Sequence, residues 1–210
     1  RSRRLGKSGT IGTMAVTPGG RLRRRVTTWI GGHSIYLVLA ALAYIPPLLV
    51  RRGVISADNK VYLYLDPARM LADSPYLWDP SVFAGTVPHQ GVGYLFPVAP
   101  YYWLVHTLGI PVWIGQRIWL STVVFFAGAG VVYLLRALRW HGPGVVVAAL
   151  AYMFTPYFLN YASAFTVIAL PWTGLPWLVA FAMLSLRHKG WPYPAMFPQT
   201  NQLIGSVNAS

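Results

Sequence analysis

The sequence contains no glutamate and no cysteine, and its acidic side chains number only four. All four are aspartates that fall within one short stretch: Asp58, Asp66, Asp73 and Asp79. The lack of cysteine excludes disulfides and thiolate metal sites within the chain. Charged residues make up 10% of the sequence, whereas a soluble domain carries about 25%. This poverty of charge excludes an ordinary soluble domain.

The chain is instead rich in long apolar segments. Hydrophobic residues make up 55% of the chain and the mean hydropathy is +0.48. Segments approaching the roughly 20 apolar residues that cross a bilayer are predicted at Trp29–Val50, Pro111–Leu135, Val145–Tyr161 and Ala164–Leu186. They are continuous and lack the alternation of barrel strands. The sequence therefore predicts an all-α, multi-pass transmembrane helical bundle with about four spanning helices.

The basic excess is interpreted as a topology signal. The formal net charge is +13, and Arg21, Arg23, Arg24 and Arg25 immediately precede the first span. By the positive-inside rule, residues 1–28 form a basic cytoplasmic tail, so nucleic-acid binding is not expected. Met14 is a plausible native start, which makes residues 1–13 candidates for non-native sequence. The first span has no small-residue cleavage site after it and is interpreted as a retained signal anchor.

Two later basic clusters indicate on which side of the membrane each connecting segment lies. Residues 136–141 and 187–189 are basic, and if both are cytoplasmic, residues 51–111 form one large extracytoplasmic loop. A rival span at residues 93–110 would reverse that order, but its prolines and aromatics favour an interfacial or re-entrant helix. Residues 29–190 are thus the transmembrane part, and residues 191–210 are interpreted as a truncated tail.

The loop carries the candidate catalytic carboxylate. Asp58 is either a helix cap or, at the membrane surface, a base that takes a proton from a hydroxyl. Lys60 and Arg69 are candidate phosphate ligands. Asp66 and Asp79 each precede a proline and are expected to form caps or turns, and Asp73 is expected to be structural.

Other polar residues have two possible interpretations. His89 and Gln90 lie in a glycine-flanked turn, and His89 is either a hydrogen-bonded loop residue or a participant in chemistry. Arg117, preceded by Gln116, starts the second span and is either a functional intramembrane charge or a side chain that reaches the interface. Gly128 and Gly130 are expected to be helix packing points.

Metal and nucleotide motifs are missing from the sequence. No zinc-ligand spacing is present, and no Walker, Rossmann or Ser-His-Asp pattern occurs. No protein-built metal site is therefore predicted, and no cofactor is certain. The four aspartates leave a divalent cation open, although their spacing matches no EF-hand.

Several short motifs together resemble one family. They are Ala57-Asp58-Asn59-Lys60, Trp78-Asp79-Pro80, Pro88-His89-Gln90, Gly93-Tyr94-Leu95-Phe96-Pro97 and Phe154-Thr155-Pro156-Tyr157. In combination, over about Arg21 to Trp191, the chain resembles the N-terminal portion of actinobacterial α-(1→3)-arabinofuranosyltransferases. These are membrane glycosyltransferases of the GT-C fold class.

The resemblance implies a function and a set of roles. It implies transfer of arabinofuranose from decaprenyl-phosphoryl-arabinose to cell-wall arabinan, on the extracytoplasmic side of the plasma membrane. Asp58 matches the acidic residue that GT-C enzymes carry in their first external loop. The candidate substrate-binding residues are Lys60, Arg69, His89, Gln90, Tyr94 and Arg117, and the aromatics from Tyr94 to Trp103 are expected to seat the prenyl chain.

Family members are several times longer, so the chain is expected to be a fragment that is inactive alone. The rival hypothesis is a non-catalytic membrane subunit, either a transporter or an assembly scaffold. A transporter is expected to place charges near mid-bilayer, whereas here the polar residues gather in the external loop.

Overall fold

The computed structural model describes residues 18–55, 64–76, 78, 84–85, 95–164 and 166–205, with side chains from residue 34 onward except 162–168 and 205. These residues belong to two compact units, one ending at Ile35 and the other starting at Tyr36. All packing given below lies within the second unit. Five of the predicted site residues, Asp58, Lys60, His89, Gln90 and Tyr94, lie outside the described residues.

Regular secondary structure in the described part of the chain is helical. The helices are α1 Pro18–Leu49, α2 Pro67–Asp73, α3 Val98–Thr107, α4 Val112–Ala137, α5 Pro143–Met153, α6 Pro156–Ala164, α7 Thr166–Arg187 and α8 Pro192–Gly205. Several begin at proline, since a proline in the first turn gives up only an N–H that has no partner there.

Helix α4 runs antiparallel to α1. The guanidinium of Arg136 lies 5.2 Å from the ring centre of Tyr36, and Arg117 donates a 2.9 Å hydrogen bond to the carbonyl oxygen of Val50. Residue numbers thus rise along α1 while they fall along α4.

Helix α7 runs parallel to α4. The hydroxyl of Thr173 donates to the carbonyl oxygen of Val123 at 3.2 Å, and Arg187 donates to that of Ala137 at 2.7 Å. Two parallel helices need a return segment between them, and α5 with α6 supplies it. Helix α4 packs on α5, α6 and α7, α7 also packs on α6 and α8, and α2 packs on α3.

The third predicted span is divided in the structure. Helix α5 has 11 residues and α6 has 9, so each is about 14–17 Å long. Pro156 cannot donate a backbone hydrogen bond to Tyr152, which accounts for the end of α5 at Met153. The continuous segment predicted over Val145–Tyr161 is therefore interrupted at this break.

Among the residues that the structure describes, two helices are long and apolar enough to cross a membrane, Val112–Ala137 and Ala169–Arg187. Shorter apolar helices are Ser34–Leu49 and Pro143–Met153. Large apolar side chains also face outward along these helices, among them Leu37, Ile45, Phe126, Val147, Leu175 and Val179. A soluble protein rarely exposes so contiguous an apolar surface. The exact number of spans stays a prediction.

Helix α3 is short. Its 10 residues cover about 15 Å, roughly half of the bilayer's hydrocarbon thickness. This length is consistent with the prediction that residues 93–110 form an interfacial or re-entrant helix and do not span the bilayer.

Candidate active site at the loop end of the bundle

We call the end of the bundle that carries the C-terminus of α1, the start of α4, and helices α2 and α3 the loop end. A cluster of polar and aromatic side chains joins these elements. Tyr64 and Tyr102 meet edge to face with ring centres 4.8 Å apart. The amide Nε2 of Gln116 donates to the hydroxyl of Tyr64 at 3.5 Å, and Tyr101 donates to the carbonyl of Gly115 at 2.7 Å. The first loop is therefore anchored directly on α4.

Tyr101 is held in its protonated form. Burial, with a smaller contribution from the neighbouring phenol of Tyr44, raises the pKa of Tyr101 to about 12. Its hydroxyl therefore remains a donor to the carbonyl of Gly115 even at about pH 10, where an ordinary tyrosine ionises. This bond fixes α3 against the start of α4.

Arg117 is buried, with only 8% of its surface exposed. One guanidinium nitrogen donates to the carbonyl of Val50 at 2.9 Å and another donates to that of Arg51. The group also lies 4.8 Å from the ring centre of Trp113. Val50 and Arg51 lie just after the last residue of α1, and Arg117 supplies hydrogen-bond donors to both of their carbonyls. This contact explains its burial, while its predicted role in binding substrate stays a prediction.

Two of the four aspartates have structural partners. Asp66 caps α2, since its carboxylate accepts a 3.0 Å hydrogen bond from the backbone N–H of Arg69. The side chain of Arg69 pairs with Asp73 at 3.4 Å, with both side chains more than half exposed. The cap predicted at Asp66 is confirmed. Arg69 remains accessible to a ligand, because an exposed ion pair of this kind is worth only about 0–1 kcal/mol.

Asp79 lies outside the described residues, as do the five site residues named above. In the described part of the chain, no three His, Asp or Glu side chains converge as metal ligands would. The roles of Asp58, Lys60, His89, Gln90 and Tyr94 stay predictions.

The aromatic segment predicted to seat a prenyl chain divides into two sets. Tyr102 is buried, whereas Phe96 and Trp103 are about half exposed. Tyr102 packs on Tyr64 in the loop-end cluster, and the rings of Phe96 and Trp103 remain accessible.

A groove starts beside this segment at Pro97 and continues between α4, α7 and α8. Its volume is about 350 Å³. The side chains that line it are almost all apolar: Trp119, Val123, Phe126, Leu170, Trp177, Phe181, Leu203 and Ile204, with Thr122, Thr173 and Thr200. The three threonine hydroxyls donate to backbone carbonyls. These three hydroxyls are thus satisfied internally, and the largely apolar surface of the groove suits a hydrocarbon chain.

The polar pair Gln116 and Arg117 was predictable from the sequence, but the partners of the two side chains were not. Those partners are the Tyr64 hydroxyl and the carbonyl oxygens of Val50 and Arg51, and no sequence motif marks them. The groove was missed as well, because it depends on how α8 packs against α7. The signal that was available was the pair of polar residues at the start of an otherwise apolar helix.

Known proteins include a family that matches most of this chain and relatives that are similar to it in sequence. The family model described as "Alpha-(1->3)-arabinofuranosyltransferase, N-terminal GT-C domain" matches residues 38–210. The chain is 31% identical over 177 residues to the alpha-(1->3)-arabinofuranosyltransferase of Mycobacterium tuberculosis, and 32% identical over 160 residues to that of Mycolicibacterium smegmatis. These alignments cover 82% and 75% of this chain. The chain spans only 13% and 11% of the lengths of these relatives.

Solved structures show the same relationship. The fold matches a cryo-EM structure of arabinofuranosyltransferase AftD from Mycobacteria with a TM-score of 0.78, at 28% identity over 84% of this chain and 14% of that one. A mutant of AftD matches equally well, at 29% identity and a TM-score of 0.78, over the same shares of the two chains. The predicted all-helical GT-C fold and the family resemblance are confirmed. The chain belongs to the family of the N-terminal GT-C domain of α-(1→3)-arabinofuranosyltransferases, a family of membrane-embedded glycosyltransferases.

Proposed function

We propose that the chain forms the N-terminal part of a lipid-linked arabinofuranosyltransferase. In this proposal it takes part in moving arabinofuranose from decaprenyl-phosphoryl-arabinose to cell-wall arabinan, on the extracytoplasmic side of the plasma membrane. The observation that carries the proposal is the family match over residues 38–210, supported by the fold match to AftD. The N-terminus is cytoplasmic and the loop end faces outward.

Asp58 is the proposed base. The bond between the sugar's anomeric carbon and the lipid phosphate breaks, a bond from that carbon to the acceptor oxygen forms, and the acceptor's proton passes to the Asp58 carboxylate. Asp66 and Asp73 already serve as a cap and an ion-pair partner, which supports assigning the base elsewhere in the loop. Asp58 follows Arg51, whose carbonyl Arg117 holds at the end of α1.

The departing polyprenyl phosphate needs positive charge. Lys60, Arg69 and His89 are the proposed ligands, with Gln90 and Tyr94 beside them. Arg69 is exposed on α2, and its guanidinium offers a two-pronged donor that fits phosphate oxygens. Arg117 fixes the chain just after α1, and its proposed contact with the same phosphate uses its remaining N–H groups.

The prenyl chain of the donor is proposed to lie in the groove that starts at Pro97. This apolar channel lies between the two long helices. A prenyl chain there keeps its phosphate at the loop end, next to the proposed base.

The test is a graft. Residues 38–210 replace the matching segment of the Mycolicibacterium smegmatis relative, and membranes are supplied with radiolabelled polyprenyl-phosphoryl-arabinose and an arabinan acceptor. We expect label to enter the arabinan. A stably expressed graft that moves the lipid-linked sugar across the membrane without transferring it would contradict the proposal and favour the rival transporter.

A further inference from the structure

The end of the bundle opposite the loop end is strongly basic. The C-termini of α4 and α7 meet there, since Arg187 donates to the carbonyl of Ala137 at 2.7 Å. We call this the basic end, and it carries Arg136, Arg139, Trp140, His141, Arg187, His188, Lys189 and Trp191. Two basic clusters far apart in sequence thus form one surface.

This surface has no acidic residue nearby in sequence to neutralise it. The last acidic residue of the chain is Asp79, so residues 80–210 contain none. Within the described part, the recorded ion pair joins Arg69 and Asp73 of α2, and α2 packs on α3 at the loop end. Arg139 and Lys189 are both exposed and have no carboxylate near them in sequence, so an external anionic group can meet their charge.

Arg139 occupies a backbone position that usually belongs to glycine. Its φ is +65°, and the bonds from Arg139 to Arg136 and from Trp140 to Leu135 form the terminal motif that favours a left-handed residue. Helix α3 ends in the same motif with Gly109 at the corresponding position, also at φ +65°. A side chain there costs energy that glycine avoids. The sequence accepts this cost at α4 and keeps an exposed arginine beyond the helix.

Exposed aromatics accompany the cations. Trp140 is 64% exposed and Trp191 is 86% exposed. Tryptophan is enriched at the level of the lipid headgroups, where its ring and its N–H both find partners. Attraction between basic residues and the helix C-terminal dipole explains Arg136 and Arg187, which lie in last turns. It does not explain Arg139 and Lys189, which lie beyond the helices.

We infer that the basic end is a binding surface for the headgroups of anionic phospholipids. Arginine and lysine side chains near a membrane surface gain roughly fivefold each in affinity for anionic lipid. Position at the ends of two apolar helices, with tryptophans beside the cations, favours a lipid over an acidic protein. This inference does not rest on the proposed function, and it agrees with a cytoplasmic position for this end, because that leaflet carries anionic lipid.

The test uses the absence of native cysteine. The chain with Gly144→Cys, a site with open space around its Cα, is labelled with bimane and placed in lipid nanodiscs. Small fractions of phosphatidylglycerol or phosphatidylcholine, each with a nitroxide on its acyl chain, are then added, and quenching gives the local preference for the anionic lipid. A label at Leu108→Cys, exposed at the loop end, reports the opposite surface.

We expect severalfold stronger quenching by phosphatidylglycerol at the Gly144→Cys label and little preference at the Leu108→Cys label. Arg139→Gly and Lys189→Gln should each reduce the preference about fivefold. Salt raised from 0.1 M to 1 M, which shortens the Debye length from about 10 Å to about 3 Å, should reduce it further. Arg52→Gln removes the same charge from an exposed side chain after α1 and should leave the preference unchanged.

Arg139→Gly also separates binding from folding. Glycine relieves the left-handed position, so the melting temperature should hold or rise while the lipid preference falls. Equal quenching by the two lipids, or an equal loss with Arg52→Gln, would overturn the inference. Saturable binding of an acidic protein at this end, without any lipid preference, would overturn it in favour of a protein partner.

Discussion

Arg117, near the start of α4, donates a 2.9 Å hydrogen bond to the carbonyl oxygen of Val50, directly after the last residue of α1. A second bond reaches the carbonyl of Arg51. One buried guanidinium thus links the two helices at the point where the chain enters the loop that carries the candidate base.

We predict that Arg117→Leu destabilises the protein. Each charge-assisted hydrogen bond lost costs about 1.5–3 kcal/mol, toward the lower end here because Val50 is exposed and water can replace a partner. Arg117→Lys keeps the charge but loses the two-pronged geometry, so its melting temperature should lie between those of the wild type and Arg117→Leu. Melting in detergent measures this. Unchanged melting in both variants, with a raised donor KM, would instead assign Arg117 to the substrate.

The parallel arrangement of α4 and α7 predicts that the two later basic clusters share one side of the membrane. Cysteines introduced singly as Arg139→Cys and Lys189→Cys should both be protected from an impermeant thiol reagent added outside intact cells. Leu108→Cys, at the loop end, should react. Because the chain has no native cysteine, all labelling of it comes from the introduced residue. Reaction of Arg139→Cys from outside would show that the four-span topology is wrong.

Gly130 lets α4 and α7 approach closely. A Cβ there would lie 2.6 Å from the indole nitrogen of Trp177, which donates to the carbonyl of Phe126. Gly130→Ala should therefore lower stability by about 1–3 kcal/mol, the usual cost of overpacking. Gly144→Ala, with nothing within 4 Å of the added Cβ, is the matched control and should melt no lower than the wild type. The packing role predicted for Gly130 from sequence is confirmed by this geometry.

The groove predicts a dependence on the length of the donor's lipid. Leu203 lines the groove and is 41% exposed, so Leu203→Trp should narrow it. In the grafted enzyme this variant should raise KM for a long prenyl-phosphoryl donor more than for a short one. Val147→Trp places the same ring at an exposed site outside the groove and should change neither KM. Equal effects on long and short donors would remove the prenyl chain from the groove.

The class of fold was predictable from the sequence, but the positions at which helices break were not. Runs of apolar residues as long as Val112–Ala137 have no stable alternative to a helix in lipid, so the long helices were predictable. The break before Pro156 was visible as a proline, yet proline is tolerated within other helices here, as at Pro171 and Pro176 of α7. Only tertiary packing decides between the two outcomes.

The candidate site was predictable only where chemistry is local. Asp66 caps the helix that follows it because the capping bond spans three residues. The partners of Arg117 lie 66 and 67 residues away, and backbone carbonyls have no signature in sequence. The partnership of Gln116 with Tyr64 is equally remote.

The most direct measurement is arabinosyl transfer by the graft carrying Asp58→Asn, with Asp73→Asn as the matched control. Both changes remove one loop carboxylate, but Asp73 is an exposed ion-pair partner on α2. A general base typically contributes about 10²–10⁴-fold in rate. We expect a loss of that size in kcat for Asp58→Asn, at unchanged expression, and near-normal turnover for Asp73→Asn. Near-normal turnover in Asp58→Asn would contradict the role of Asp58 as the base.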